Sequence, residues 1–130
     1  MIVIDSSVWI DYFRGTDSPQ AEKLDSLIGK TRLAIGDLIM VEVLQGFANK
    51  RLLKEATNLF GTLDFVLLGG RSLALNAAAN YRKLRASGYT VRKTIDVIIA
   101  TRCIMSDYEL LHNDRDFLPF EQHLGLKCVV

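Results

Sequence analysis

The sequence is poor in cysteine, histidine and proline, and these shortages exclude several classes of protein. Among its 130 residues are two cysteines, two histidines and two prolines. Two thiols cannot form the disulfide framework of a small secreted domain, so we expect Cys103 and Cys128 to be buried and reduced. No apolar run approaches the length of a membrane span, and Asp5 comes too early for a signal peptide. We therefore expect a cytoplasmic protein with no membrane segment.

The sequence also carries little net charge. Its 16 basic and 15 acidic residues give a formal charge of +1. Such a protein can bind nucleic acid only if its basic side chains gather on one face against an acidic pocket. With 49% hydrophobic residues, the chain is long enough to bury a single core. We therefore predict one domain that covers residues 1–130.

Short apolar segments alternate with helical patterns along the whole chain. The predicted strands cover residues 2–4, 33–35, 65–68, 110–111 and 127–130. Predicted helices follow caps at Ser6 or Ser7, Asp37 and Thr94, and others cover residues 19–28, 50–60 and 72–87. The helix after Asp37 is expected to reach Phe47. Because no hairpin signal separates the strands, the pattern predicts an α/β fold: a mostly parallel central sheet with helices on both faces.

Four acidic residues, Asp5, Glu42, Asp96 and Asp114, lie in or beside apolar stretches. An ionised carboxylate in such surroundings is costly unless it is paired, richly hydrogen-bonded or bound to a cation. The carboxyl ends of parallel strands form one crevice, where these four side chains can meet. Clustered carboxylates repel one another, so the pattern predicts a divalent cation. Oxygen ligands favour Mg²⁺ or Mn²⁺ over zinc, and the two histidines stand alone in the sequence.

Each acidic residue also has a simpler interpretation. Asp5 could cap the first helix, and Asp96 could complement a helix dipole. Asp114 and Asp116 lie in a turn, where aspartate commonly bonds its own backbone. Glu42 is too far inside its helix to be a cap. These alternatives stay open for the residues taken one at a time.

Four segments, in this order, resemble the successive motifs of the PIN-domain family. They are IVIDSSVWIDYF at residues 2–13, the helix with Glu42, TIDVIIA at 94–100 and HNDRDF at 112–117. Within that family, the chain is similar to the VapC-type ribonuclease toxins of toxin-antitoxin operons. The resemblance spans the whole chain, whereas any one motif alone would be weak.

The resemblance implies a single PIN-like domain that acts as an Mg²⁺-dependent endoribonuclease, with Mn²⁺ as a substitute. The toxin would hydrolyse RNA phosphodiesters by metal-activated water, with transfer RNA as one candidate substrate. It also implies a VapB-like antitoxin partner and a homodimer. The implied catalytic residues are Asp5, Glu42, Asp96 and Asp114; the implied metal ligands are Asp5, Asp96, Asp114 and Asp116, with Ser6 or Ser7 supporting them. Which of Asp114 and Asp116 lies nearer to the metal stays open.

Four basic residues lie close in sequence to the acidic motifs and are predicted to bind the RNA substrate: Arg14, Arg92, Lys93 and Arg115. Basic side chains at such positions can neutralise RNA phosphates. Solvated surface charge is the simpler interpretation of each.

Two other classes of function fit part of the pattern. Asp5 could be the nucleophile of a haloacid-dehalogenase-type phosphatase. That class has a second acid two residues later, where this chain has Ser7. A catalytically inert PIN-like module that binds RNA or a partner is the other alternative, and the presence of all four acids speaks against it.

Overall fold

The computed structural model describes residues 1–129, which form five strands and seven α-helices. The strands are β1 (Ile2–Ile4), β2 (Leu33–Gly36), β3 (Asp64–Val66), β4 (Glu109–Leu111) and β5 (Lys127–Val129). The helices are α1 (Ser6–Arg14), α2 (Pro19–Leu27), α3 (Asp37–Leu44), α4 (Lys50–Phe60), α5 (Arg71–Ala86), α6 (Thr94–Ser106) and α7 (Leu118–His123). A 3-10 helix, Arg115–Phe117, precedes α7.

The strands form one parallel sheet in the order β3-β2-β1-β4-β5. Ile2 pairs with Leu33 on one side and with Glu109 on the other. The chain therefore starts at the centre of the sheet, extends it to one edge and later returns to build the other half. Such a switch in strand order opens a crevice at the carboxyl ends of the central strands.

The helices fall into two packed groups. Helix α1 contacts α2 and α3, and α3 contacts α4, whereas α5 contacts α6 and α7. Central strand residues such as Ile4, Ile35 and Leu110 are completely buried, as a parallel sheet covered by helices requires. Trp9 is also fully buried, with its ring edge-on to Phe60 at a centroid distance of 4.9 Å. The predicted α/β architecture is confirmed.

The helix caps differ from the predicted ones. Asp5 caps α1, because its carboxylate accepts the backbone N–H of Ser7. Gly36 and Lys93 occupy the cap positions of α3 and α6, so the predictions of Asp37 and Thr94 as caps were wrong by one residue. Asp37 Oδ1 instead accepts the backbone N–H groups of Leu38 and Leu68 at 2.9 and 3.0 Å. Its carboxylate therefore ties α3 to the segment after β3.

Helix α3 ends at Leu44, short of the predicted Phe47, and is followed by a turn. The six-residue helix α7 was not predicted, because its length gives too little periodicity to identify. The predicted last strand includes residue 130, which lies outside the described residues. Cys103 is buried as predicted, but Cys128 is only half-buried, on the edge strand β5. Within residues 1–129, no helix is both long enough and apolar enough to cross a membrane.

Candidate metal centre

Asp5 lies at the carboxyl end of the central strand and is almost completely buried. Ser7 holds one of its carboxylate oxygens, Oδ2, by donating its hydroxyl at 2.6 Å and its backbone N–H at 3.1 Å. The other oxygen, Oδ1, is buried and has no hydrogen-bond partner. Burial raises the pKa of Asp5 despite the bonds from Ser7. Oδ1 is therefore a carboxylate oxygen without the partner that burial normally demands.

Asp96 lies in the first turn of α6 and is likewise buried. Its Oδ2 is also buried without a partner. Burial, followed by the repulsion of Asp5, raises the pKa of Asp96 to about 7. A carboxyl group whose pKa is near 7 when no cation is bound indicates a site that is suited to bind positive charge.

Glu42 projects from α3 and is half-buried. The hydroxyl of Ser6 donates to its Oε1 at 3.2 Å. Burial raises the pKa of Glu42, and the charge of Asp5 raises it further, while Lys93 acts in the opposite direction. The consecutive serines thus serve different acids: Ser7 bonds Asp5, and Ser6 bonds Glu42.

Asp114 and Asp116 follow β4 in the loop that leads into the 3-10 helix. Asp114 Oδ1 accepts the backbone N–H of Asp116 at 2.9 Å, which is the turn contact expected for an aspartate in a loop. Asp114 Oδ2 faces Lys93 Nζ at 3.3 Å, and Asp116 Oδ2 faces Arg92 Nε at 3.4 Å. Partial burial would raise the pKa of Asp114, but the N–H of Asp116 and the lysine lower it overall.

These acids come together at one edge of the sheet. Carboxylate oxygens of Asp96, Asp114 and Asp116 lie within 4.8 Å of one another. Asp5 is close enough for its charge to raise the pKa of Asp96 and of Glu42. Both aspartates of the last motif thus face the centre. The set contains only oxygen donors, two of them buried without a partner, and it fits a hard divalent cation such as Mg²⁺ or Mn²⁺.

Asn113 is a residue of the site that the sequence did not identify. Its backbone N–H donates to Ser7 Oγ at 3.2 Å, and its Nδ2 donates to Asp11 Oδ2 at 3.2 Å. Asn113 therefore fixes the Asp114 loop against α1. Both Asn113 and Asp11 lie inside the motifs described above, but nothing in their spacing indicates that they touch.

The four predicted substrate-binding residues divide into two pairs. Arg92 and Lys93 contact carboxylates of the centre, as given above. Arg14 and Arg115 are exposed and form no ion pair within residues 1–129. Arg14 lines a cavity of about 400 Å³ that Glu42 also borders.

A second group of possible ligands lies near β5. Atoms of His112, Glu121 and Cys128 come within 4.8 Å of one another. The expectation that His112 would lie apart from other possible ligands was therefore wrong. His112 Nδ1 accepts the backbone N–H of Asp114 at 3.2 Å, and burial lowers the pKa of His112. A neutral imidazole that accepts through Nδ1 carries its proton on Nε2, which then has no lone pair for a metal. His112 in this form supports the Asp114 loop.

The fold and the acidic centre define a class: α/β proteins with a cluster of carboxylates at the carboxyl edge of a parallel sheet. The sequence model of the PIN domain matches residues 2–121, and the chain belongs to the PIN domain family. Because the chain belongs to this family, the interpretation of Asp5 as the nucleophile of a haloacid-dehalogenase-type phosphatase is excluded.

Named relatives share most of their length with this chain. VapC ribonuclease Mb1587 of Mycobacterium bovis is 33% identical over 126 residues, which cover 90% of this chain and 89% of that protein. Ribonuclease VapC11 of Mycobacterium tuberculosis H37Rv shows the same identity and coverage.

Solved structures share the fold at low sequence identity. VapBC2 from Rickettsia felis, bound to a promoter DNA fragment, includes a chain with a TM-score of 0.75 at 16% identity, covering 99% of this chain and 98% of that one. A toxin-antitoxin complex from Klebsiella pneumoniae gives 0.72 at 18% identity, with coverage of 100% and 97%.

Proposed function

We propose that this protein is a divalent-metal-dependent endoribonuclease and the toxin of a toxin-antitoxin pair. The convergence of Asp5, Asp96, Asp114 and Asp116 at one edge of the sheet carries this proposal. The relatives at 33% identity are named as VapC ribonucleases, which supports RNA as the substrate. An RNA substrate also supports a cytoplasmic location.

Mg²⁺, or Mn²⁺ in its place, would be held by these four aspartates. When bound there, such an ion neutralises phosphate charge and makes a nearby water more acidic. Ser7 and Asn113 keep the first and last ligands in place. Glu42, with Oε1 on Ser6 and a raised pKa, is suited to accept a proton from the attacking water.

The RNA backbone would lie across the basic residues around this centre. Arg14 and Arg115 are exposed without an ion pair in the described chain, so their guanidinium groups can bind phosphates directly. Arg92 and Lys93 must first leave their carboxylate partners. We therefore expect Arg14→Ala and Arg115→Ala to raise the KM for RNA without weakening metal binding.

Cleavage of a cellular RNA pool tests the enzymatic proposal. Purified protein should produce discrete fragments with Mg²⁺ or Mn²⁺, and none with EDTA. The Asp96→Asn variant should give none under either condition, because it removes a ligand oxygen without changing the size of the side chain. Equal cleavage by wild type and variant would contradict the proposed active site. A protein that binds Mn²⁺ but cuts no RNA would instead support an inert binding module.

The partner we propose is a VapB-like antitoxin. The similar folds occur in toxin-antitoxin complexes, and the acidic centre offers a negative pocket for a basic side chain of such a partner. Induced expression of the chain alone should arrest growth of a bacterial host, whereas Asp96→Asn should not. Co-expression of a cognate VapB-like antitoxin should restore growth. Arrest by both wild type and variant would indicate toxicity unrelated to the acidic site.

A homodimer remains a prediction from the family resemblance. Exposed apolar side chains such as Phe65, Leu67 and Leu75 leave surface for contact with a second copy. Sedimentation of the purified protein should then give twice the mass of the 14.6 kDa chain. A single species of monomer mass at micromolar concentration would contradict this prediction.

A further inference from the structure

We propose that Lys93 competes with the divalent cation at the acidic centre and, once displaced, binds the RNA phosphate. This inference rests on the proposed nuclease function. It assigns to one lysine two successive partners, first a carboxylate of the protein and then the substrate.

The Lys93 ammonium lies beside the carboxylate oxygens that could hold a metal ion. Its Nζ lies 3.3 Å from Asp114 Oδ2, an oxygen of the group that can hold a metal. Asp96 is the charge that raises the pKa of Lys93 most, and Asp114 and Asp5 add to it. The lysine also lowers the pKa of Glu42 on α3. One ammonium therefore contacts Asp114 and is close enough to interact electrostatically with Asp5 after β1, Glu42 on α3 and Asp96 on α6.

The side chain is free to leave, although its backbone is fixed. Lys93 is the cap residue of α6, and its carbonyl accepts the N–H of Asp96 at 3.2 Å. The side chain itself is 57% exposed. An ion pair with that exposure is weak and easily exchanged. Thus Lys93 can exchange its partner while the start of α6, and with it Asp96, stays in position.

A divalent cation held by Asp96, Asp114 and Asp116 would repel the ammonium and remove its attraction to Asp114. The displaced Lys93 remains tethered at the rim of the same centre, beside the site where the scissile phosphate must lie. A phosphate oxygen then offers the negative charge that Asp114 no longer supplies. Arg92, paired with Asp116 at 3.4 Å, is an immediate neighbour but reaches a different carboxylate.

The Lys93→Met variant separates the two roles, because it keeps most of the unbranched side chain and removes the charge. We would measure the Mn²⁺ dissociation constant by electron paramagnetic resonance of the free ion, in the absence of RNA. Lys93→Met should bind Mn²⁺ roughly two- to fivefold more tightly, the range for loss of one exposed competing charge. At saturating Mn²⁺, its KM for RNA should rise by about tenfold, a value typical of a lost charged contact.

The matched control is Lys127→Met. Lys127 also pairs with an aspartate, Asp107, but at the start of β5 and away from the acidic centre. Both constants should stay at the wild-type values in this variant. This outcome would show that removing a paired surface lysine has no general effect.

Each result of the experiment decides one part of the proposal. Unchanged or weaker Mn²⁺ binding by Lys93→Met would overturn the competition. Tighter Mn²⁺ binding with an unchanged KM would overturn the transfer to RNA. If wild type binds Mn²⁺ through Asp96 but cuts no RNA, the nuclease function and the transfer to RNA both fail, and the Mn²⁺ comparison still decides the competition.

Discussion

At the scale of single residues, the acidic centre lowers the stability of the metal-free fold, because it buries a carboxyl group that is suited to bind a cation. The pKa of Asp96 is about 7 in the folded chain, against 3.8 for an unperturbed aspartate. The folded state therefore holds a proton that the unfolded state has released between these values. Below about pH 4 the side chain is neutral in both states and costs nothing. Between about pH 4 and 7 the free energy of unfolding falls progressively, and above 7, where Asp96 is ionised in both states, the loss is complete and constant.

Asp96→Asn should stabilise the metal-free protein at alkaline pH. In EDTA at pH 8, we expect the free energy of unfolding to rise by on the order of 2 kcal/mol, because the buried charge is removed. At pH 5 the gain should be much smaller, since Asp96 is then protonated. Urea denaturation at both pH values measures the difference.

The control for this pH effect is Asp107→Asn. Asp107 is exposed, and Lys127 lowers its pKa, so its removal should not stabilise the protein at pH 8. An equal gain for Asp96→Asn at pH 5 and pH 8 would show that its ionisation is not what destabilises the fold.

Ser7→Ala tests the support of the first aspartate. The change removes a hydroxyl that donates to Asp5 at 2.6 Å and accepts the N–H of Asn113. We expect Mn²⁺ affinity to fall by roughly tenfold, as is usual when a bond that orients a metal ligand is lost. Calorimetric titration measures it. Ser26→Ala, on the exposed face of α2, is the matched control. Unchanged affinity in Ser7→Ala would mean that α1 alone positions Asp5.

At the scale of elements, the site depends on how the ends of strands pass into helices. Asp5 caps α1 directly after β1, and Asp96 lies in the first turn of α6. Gly36 ends β2 and caps α3, the helix that carries Glu42. Asp5 and Glu42 therefore owe their positions to tight junctions between a strand and a helix, whereas Asp96 follows the connection from α5 and Asp114 lies in the loop after β4.

Gly36→Ala should disturb one of these junctions. A Cβ atom at position 36 would lie 2.6 Å from Leu68 Cδ1, a completely buried side chain. Overpacking of this kind should lower the free energy of unfolding by about 1–3 kcal/mol. Gly46→Ala is the control, because a Cβ there meets its nearest atom at 3.5 Å. Thermal unfolding compares the two, and equal stability would show that Leu68 moves aside without cost.

At the scale of the whole molecule, the sequence predicted the fold better than the details of the site. Alternating strands and helices indicated the parallel sheet, and the positions of Asp5 and Asp114 after strands indicated where they would meet. The pairing of Lys93 with Asp114 and the contact of Asn113 with Ser7 were not predicted. Such contacts depend on the order of strands in the sheet and on side-chain reach, and periodicity encodes neither.

Metal binding should stabilise the entire domain. A ligand that binds only the folded state raises the free energy of unfolding by about 2.7 kcal/mol when its free concentration is one hundred times its dissociation constant. We expect the melting temperature of wild type to rise with Mn²⁺ and that of Asp96→Asn to change little. Calorimetry with matched chloride concentrations measures this, and an equal rise in both proteins would place the ion outside the acidic centre.

The central claim is that the same acidic centre binds the divalent cation and cuts RNA. The most direct test follows bound Mn²⁺ and the rate of RNA cleavage in one titration of the purified protein. We predict that both rise together in wild type and that Asp96→Asn abolishes both. Cleavage that proceeds in EDTA, or that persists in Asp96→Asn when bound Mn²⁺ is lost, would contradict the account.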